Sequence, residues 1–81
     1  MGRANVELIL DCRNSMAQIH MQLAEALRFP SWYGNNLDAL HDCLTAVSLE
    51  LRITLIEPER LPALQRVLYD CAAENPNIHI I

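Results

Sequence analysis

Three short apolar runs, separated by stretches with helical periodicity, constrain the fold of this chain more than any other feature. Residues 6–10 are mostly apolar and rich in strand formers, which predicts a first strand over residues 5–11 that is covered on both faces. In residues 49–55 apolar and polar side chains alternate, which predicts a second strand that is half covered or lies at a sheet edge. Residues 77–81 predict a short third strand.

Two helices are predicted between the first and second strands. Ser15 followed by Gln18 is a capping-box pattern, and apolar residues then recur at helical spacing up to Pro30, which predicts a first helix ended by that proline. The following loop contains Gly34, which is free to adopt a positive φ, and Asn36, which is placed to cap a second helix. The apolar stripe of that second helix consists of Leu37, Leu40, Leu44 and Val47.

A third helix is predicted before the last strand. Pro62 suits its first turn, and the Asn75-Pro76 pair ends it. The order β-α-α-β-α-β predicts an α/β fold with a small three-stranded parallel sheet covered by helices. A chain of 81 residues, of which 52% are hydrophobic, suits a single domain over residues 1–81 with one core.

The charge of the chain restricts its partners. With 10 acidic and 6 basic residues, the formal net charge is -4, which repels phosphate backbones and anionic membranes. We therefore expect neither direct nucleic-acid binding nor membrane binding, and we expect any protein partner to be basic.

The cysteines and the N-terminus indicate the compartment. Cys12, Cys43 and Cys71 are widely spaced, without a Cys-x-x-Cys pair, which predicts buried thiols in a reducing environment. Residues 1–5 lack an apolar signal core, and no stretch approaches the ~20 apolar residues of a membrane span. We expect a cytoplasmic protein.

The loop and second helix carry the most specific motif. Residues 32–45 read Trp-Tyr-Gly-Asn-Asn-Leu-Asp-Ala-Leu-His-Asp-Cys-Leu-Thr, in which Asp38, Asp42 and Thr45 share one helix face at i, i+4 and i+7. This stretch resembles the hallmark segment of the barstar family, intracellular inhibitors of the ribonuclease barnase. The resemblance extends more weakly over the whole chain in element order. It implies a barstar-like fold and a one-to-one complex with a basic ribonuclease of extracellular or toxin type.

The resemblance places Asp42 at the carboxylate that enters the nuclease active site in place of a substrate phosphate. A ribonuclease gathers Arg, Lys and His around its transition state, and a carboxylate on a rigid helix can engage those same donors. A solvated helix aspartate is the alternative. Asp38 matches a second acidic contact, although the helix dipole also favours a negative charge in the first turn. Like charges at i, i+4 cost a helix roughly 0.2 to 0.5 kcal/mol, and Asp42 lacks the dipole's compensation.

The remaining partner-binding residues implied by the resemblance are Trp32, Tyr33, Gly34, Asn36, Leu37, His41, Thr45 and Asp70. Each has a structural alternative. The aromatic pair could anchor the loop on the core, which for Tyr33 is as plausible as a partner contact. Gly34 and Asn36 could serve turn geometry alone, whereas Thr45 and Asp70 could be ordinary solvent-facing side chains.

Two positions depart from the family pattern. His41 stands where we expect a tryptophan, and Val47 stands where we expect an aromatic residue. The segment between the second strand and the last helix is also shorter. These differences bear on the identity of the nuclease. His41 could titrate near neutral pH or be a plain surface histidine, and we interpret His20 and His79 as structural.

Two other classes of function, an enzyme and a regulatory domain, are alternatives to inhibition. Asp38, His41 and Asp42 form the only candidate cluster for proton transfer or metal binding, and no further ligand set completes such a site, so we expect no enzyme and no cofactor. A regulatory domain that keeps the fold but no longer inhibits a nuclease is the second alternative. Inhibition itself has two settings, restraint of the cell's own secreted ribonuclease and immunity to a delivered toxin.

Overall fold

A computed structural model describes residues 5–81 and contains an α/β fold. The elements in chain order are β1 (Asn5–Asp11), α1 (Met16–Leu27), α2 (Leu37–Thr45), β2 (Glu50–Ile56), a 3-10 turn (Pro58–Arg60), α3 (Pro62–Glu74) and β3 (Ile78–Ile80). The strands form one parallel sheet in the order β1-β2-β3. The predicted fold class is confirmed. Of residues 1–5, from which we inferred the lack of a signal core, only Asn5 lies within the described residues.

The sheet buries one face. Apolar side chains at alternate strand positions meet the apolar stripes of all three α-helices in a single cluster. The fully or almost fully buried members of that cluster are Leu10, Cys12, Ile19, Leu23, Leu40, Leu44, Leu51, Ile53, Leu64, Leu68, Cys71 and Ile78. The helices therefore form one layer and the sheet forms the other.

The prediction that β1 is covered on both faces is wrong. Its burial alternates along the strand, and Ile9, whose side chain points to the open face, is 61% exposed. The open face also carries Glu7 next to Arg52 of the paired strand, with Arg52 Nε 3.8 Å from Glu7 Oε1. β2 is half covered as predicted, but it is the central strand and not an edge. All three helices pack on the other face, which leaves this one to solvent.

The helix starts follow the predicted signals. Ser15 and Gln18 form the capping box of α1, in which the Gln18 N–H donates to Ser15 Oγ (3.2 Å) and the Ser15 N–H donates to Gln18 Oε1 (3.0 Å). Pro62 is in the first turn of α3. The prediction that Pro30 ends α1 is wrong, because the helix stops at a left-handed C-cap, Arg28 (φ 53°), two residues earlier.

The cysteines are free and buried, as predicted. Burial raises the pKa of each thiol, and raises that of Cys71 to about 11. Within residues 5–81 the structure contains no helix with the length and apolar character that crossing a membrane requires.

Candidate protein-binding surface

The loop before α2 is fixed by Tyr33. The Tyr33 N–H donates to Pro30 O (3.0 Å), which closes a turn, and the phenol hydroxyl is hydrogen-bonded to His20 Nδ1. The Tyr33 ring also packs against Phe29, with the ring centroids 4.8 Å apart. Burial raises the pKa of Tyr33 to about 12 and lowers the pKa of His20, so both groups are held neutral. Tyr33 thus occupies the loop-anchor position, and His20 is structural.

Trp32, at the centre of that turn, points away from the core. It is 64% exposed, in contrast to the half-buried Tyr33. Burying an indole ring removes a large apolar area from water, and aromatic rings are enriched in protein interfaces for that reason. The structure therefore separates the aromatic pair into one anchor and one residue that is available to a partner.

Gly34 and Asn36 shape the start of α2. The prediction that Gly34 adopts a positive φ is wrong, because Asn35 takes that conformation (φ 54°). A Cβ at position 34 would lie 3.0 Å from Asn36 Nδ2, so a larger residue there would press on the cap. Asn36 caps the helix as predicted, since its Oδ1 accepts from the Ala39 N–H (2.8 Å). Both residues hold the backbone in front of Asp38.

The outer face of α2 offers an exposed carboxylate. The Asp42 side chain is 75% exposed, and His41 Nδ1 lies 3.9 Å from its Oδ1. Asp38 is also exposed and lies in the first helical turn. The Thr45 hydroxyl donates to His41 O (2.9 Å), which occupies its donor within the helix. The backbone around Asp42 is helical and is hydrogen-bonded by Asn36 at its start and by Asn75 at its end, while the carboxylate faces solvent.

Leu37 lies at the boundary of this face. It is half-buried and packs against the core, so its side chain supports α2 while leaving part of its surface open. Val47, which we placed in the helical stripe, lies beyond the end of α2 because Ala46 is the C-cap. It still packs against the core from the segment that leads to β2.

α3 extends the acidic surface. His41 Nε2 lies 2.7 Å from Glu74 Oε2, which joins the two helices. Asp70 is exposed one turn before Glu74, and Arg66 one turn before Asp70, so the three share one face of α3. We define the acidic surface as Asp38, Asp42, Asp70 and Glu74. Sequence reasoning missed Glu74, although its i, i+4 spacing from Asp70 was a usable signal.

Asn75 holds the end of α2 against α3. It is 5% exposed, and its Nδ2 donates to Leu44 O (3.0 Å) and Val47 O (2.9 Å). Its Oδ1 accepts from the Asn77 N–H (3.0 Å). A buried amide that satisfies carbonyls at the end of a helix fixes that end in place. Sequence reasoning used Asn75 only as a helix terminator and missed this contact.

The same residues do not form a metal site in the described part of the chain. Among residues 5–81, no group of three His, Cys, Asp or Glu side chains is placed to hold a metal ion. The chemistry this surface offers is the binding of cations, because exposed carboxylates on a rigid backbone accept charge-assisted hydrogen bonds from Arg, Lys and protonated His.

Comparisons with known proteins identify a relative and a family for this chain. A protein of Bacillus subtilis (strain 168) named "Putative ribonuclease inhibitor YrdF" is 42% identical to this chain over 52 residues. The aligned region covers 62% of this chain and 56% of that protein, so the chain spans little more than half the length of this relative. The family model described as Barstar (barnase inhibitor) matches residues 4–77. That match includes the Trp32 loop, the acidic surface and most of the sheet, and the chain therefore belongs to the barstar family.

Proposed function

We propose that this protein is a non-catalytic inhibitor of a basic, barnase-like ribonuclease, that it acts in the cytoplasm, and that it forms a one-to-one complex with the nuclease. The inhibitor name of the relative and the family assignment support a ribonuclease partner. The observation that carries the proposal is Asp42, whose carboxylate is 75% exposed on a helix that is fixed at both ends.

Asp42 fits the role of a phosphate substitute. A ribonuclease active site concentrates cationic hydrogen-bond donors, and in the complex these donors would replace the water that now surrounds the carboxylate. Because Asn36 caps the start of α2 and Asn75 holds its end, little backbone entropy is lost when Asp42 is engaged. The carboxylate is thus preorganised.

The other acidic residues would act mainly by attracting the nuclease before the two proteins touch. Asp38 lies one turn before Asp42 on α2, and Asp70 and Glu74 lie on the neighbouring helix α3, in a chain whose net charge is -4. Such a field attracts a basic partner and raises the association rate, and added salt screens it over a Debye length of ~8 to 10 Å. We therefore expect association to slow as ionic strength rises, and we expect competition with RNA.

The test is to titrate the purified protein into barnase and a panel of other basic microbial ribonucleases while RNA cleavage is followed. Asp42→Asn keeps the shape of the side chain and removes its charge. Glu25→Gln is the matched control, because Glu25 is exposed on α1 and the substitution changes the net charge by the same amount. Removing one partner of a desolvated ion pair costs about 3 kcal/mol or more, which is over a hundredfold in the inhibition constant.

Inhibition by the wild-type protein, lost in Asp42→Asn and kept in Glu25→Gln, would support active-site plugging. Equal inhibition by all three proteins would contradict the role of Asp42. No binding to any basic ribonuclease would favour a regulatory domain that keeps the fold without inhibiting a nuclease.

A further inference from the structure

The open face of the sheet, on the side opposite the helices, has no role in the function proposed above. Because paired residues of parallel strands lie side by side, the side chains on this face form rows across β1, β2 and β3. One row consists of Glu7, Arg52 and His79, which are partners in the register of the three strands. Arg52 Nε lies 3.8 Å from Glu7 Oε1. We call these three residues the charged row.

The next row towards the carboxyl ends of the strands is mostly apolar. Ile9 is paired with Thr54 in the register and is 61% exposed. The Ile81 N–H donates to Ile53 O (2.8 Å), so the chain stays in the ladder one residue past β3, and alternation places the Ile81 side chain on the same face as His79. Ile81 is 60% exposed. We call Ile9, Thr54 and Ile81 the isoleucine row.

Each row has matching groups at its two ends. The isoleucine row ends in an isoleucine on both sides, and the charged row ends in a carboxylate on one side and in an imidazole, which can donate a hydrogen bond to a carboxylate, on the other. Two copies placed face to face about a two-fold axis along β2 put β1 of each copy over β3 of the other. Ile9 then meets Ile81 of the second copy, and Glu7 meets its His79. The two Arg52 side chains lie near the axis, where each keeps Glu7 of its own copy as a counter-charge.

The charges on this face favour a second copy over a different protein. His79 Nε2 lies 3.5 Å from Glu50 Oε1, so carboxylates alternate with basic groups across the face. A partner with a single sign of charge, such as a basic ribonuclease, would be repelled by part of the face, whereas a mixed face can be complementary to itself. The β1 edge is a poorer route to self-association, because Gln22 Nε2 already donates to Ile9 O there (2.8 Å).

The size of the open face predicts how strongly it associates. β1 and β2 each have seven residues, and strands spaced ~4.8 Å apart that rise ~3.3 Å per residue form a face of at most roughly 14 by 23 Å, since β3 is shorter. Because protruding side chains enlarge the accessible area of such a face, two stacked copies would bury on the order of 1,000 Å² in total, close to the lower limit of a specific interface. A dimer of this kind forms only at high protein concentration.

We infer that the open face of the sheet is a self-association surface, on which two copies of this chain stack face to face about a two-fold axis along β2. All three helices pack on the other side of the sheet, and two of them carry the acidic surface. The dimer therefore has one acidic surface on each of its two outer sides, and each remains open to a partner. The inference does not rest on the proposed function, because it uses no residue of the acidic surface.

Sedimentation equilibrium at several protein concentrations tests self-association. Between about 20 µM and about 1 mM, we expect the average mass of the wild type to rise from that of a monomer towards that of a dimer, as for an interface of this size. Ile9→Lys should lower the association constant by about tenfold or more, because the dimer would bury an unpaired charge. Met21→Lys is the matched control, since Met21 is 60% exposed on α1 and the substitution makes the same charge change on the helix side of the molecule.

A charge pair tests the arrangement of the two copies. Ile81→Glu alone should weaken self-association, as Ile9→Lys does. Combined in one chain, the two substitutions place a lysine of each copy opposite a glutamate of the other and leave the net charge at -4. We expect the double variant to associate about threefold more tightly, or better, than either single variant, as for coupled residues in contact. Circular dichroism checks that all variants fold, which the exposure of Ile9 and Ile81 favours.

The outcomes separate this inference from the proposed function. A wild type that stays monomeric at the highest concentration would overturn the inference, as would a loss of self-association in Met21→Lys equal to that in Ile9→Lys. A double variant that associates no better than the single variants would overturn the two-fold arrangement and the inference with it. If a ribonuclease that the protein inhibits dissociates the dimer, self-association uses the acidic surface, so the inference is overturned while inhibition stands. Ile9→Lys should inhibit that ribonuclease as the wild type does.

Discussion

Replacing Asn75 by alanine is the perturbation whose cost the structure defines most fully. The substitution removes the Nδ2 donor from Leu44 O (3.0 Å) and Val47 O (2.9 Å), and removes the Oδ1 acceptor from the Asn77 N–H (3.0 Å). Asn75 is 5% exposed, so water cannot easily replace these bonds. The change therefore removes three hydrogen bonds at a buried position, although Leu44 O and Val47 O each keep one other donor.

The magnitude follows from the bonds lost. Each buried hydrogen bond contributes about 1 kcal/mol net, so three bonds give about 3 kcal/mol. Leu44 O keeps the Val47 N–H as a donor (3.1 Å), which reduces the loss. We expect the free energy of unfolding to fall by about 2 to 3 kcal/mol, and Tm by roughly 10 to 20 °C for a chain of this size.

Urea denaturation followed by circular dichroism measures this loss. The midpoint should fall for Asn75→Ala while the slope m stays constant, which would show that stability changed and the unfolded state did not. Asn14→Ala is the control, because Asn14 is exposed and should change stability by less than about 0.5 kcal/mol. A variant Asn75→Ala that unfolds at the wild-type midpoint would refute the argument that this amide holds α2 against α3.

Three further predictions concern the loop, the helix cap and the sheet end. Tyr33→Phe removes the hydroxyl that is hydrogen-bonded to His20 and should lower the free energy of unfolding by about 1 kcal/mol, as measured by urea denaturation. Because burial in the folded state raises the pKa of Tyr33 to about 12, the stability of the wild type should also fall as pH rises from 10 towards 12. A stability that does not change over this pH range would contradict the second expectation. Asn36→Ala should cost about 1 kcal/mol through loss of the N-cap, with thermal unfolding as the measurement and an unchanged Tm as the contrary result. Arg13→Ala should raise the pKa of Asp11 from about 2 towards 3.8 in carboxyl NMR titrations, since hydrogen bonds from Arg13 lower this pKa in the wild type. The wild type should lose the contribution of Asp11 to folding stability as pH falls from 3.8 to about 2. An Asp11 pKa that is the same in Arg13→Ala and in the wild type would disprove the pairing.

Local sequence signals located the elements because they depend on residues a few positions apart. Ser15 and Gln18, Asn36, and Pro62 all mark helix starts that the structure contains. Where a prediction from the local sequence failed, the observed backbone conformation depended on neighbouring residues that the prediction did not consider. The left-handed residue of the loop is Asn35 and not Gly34, and α1 ends at Arg28 before the proline is reached.

Which faces of the sheet are covered depends on where the helices pack. An apolar run such as residues 6–10 fits a strand buried on one face or on both, and only the position of the helices distinguishes the two. All three helices pack on one face, so Ile9 and Glu7 lie on the open one. The residue pattern of β1 alone does not show whether one face or both faces of the strand are covered.

For the candidate site, the sequence by itself determined the acidic face of α2. The spacing of Asp38 and Asp42 follows from helical periodicity, and the resemblance of residues 32–45 marked them as contacts. Only the tertiary structure decided which aromatic residue anchors the loop and that Glu74 meets His41. The physical reason is sequence separation: the Asn75–Leu44 contact joins residues 31 positions apart, and such a contact exists only once α2 and α3 pack on the same face of the sheet.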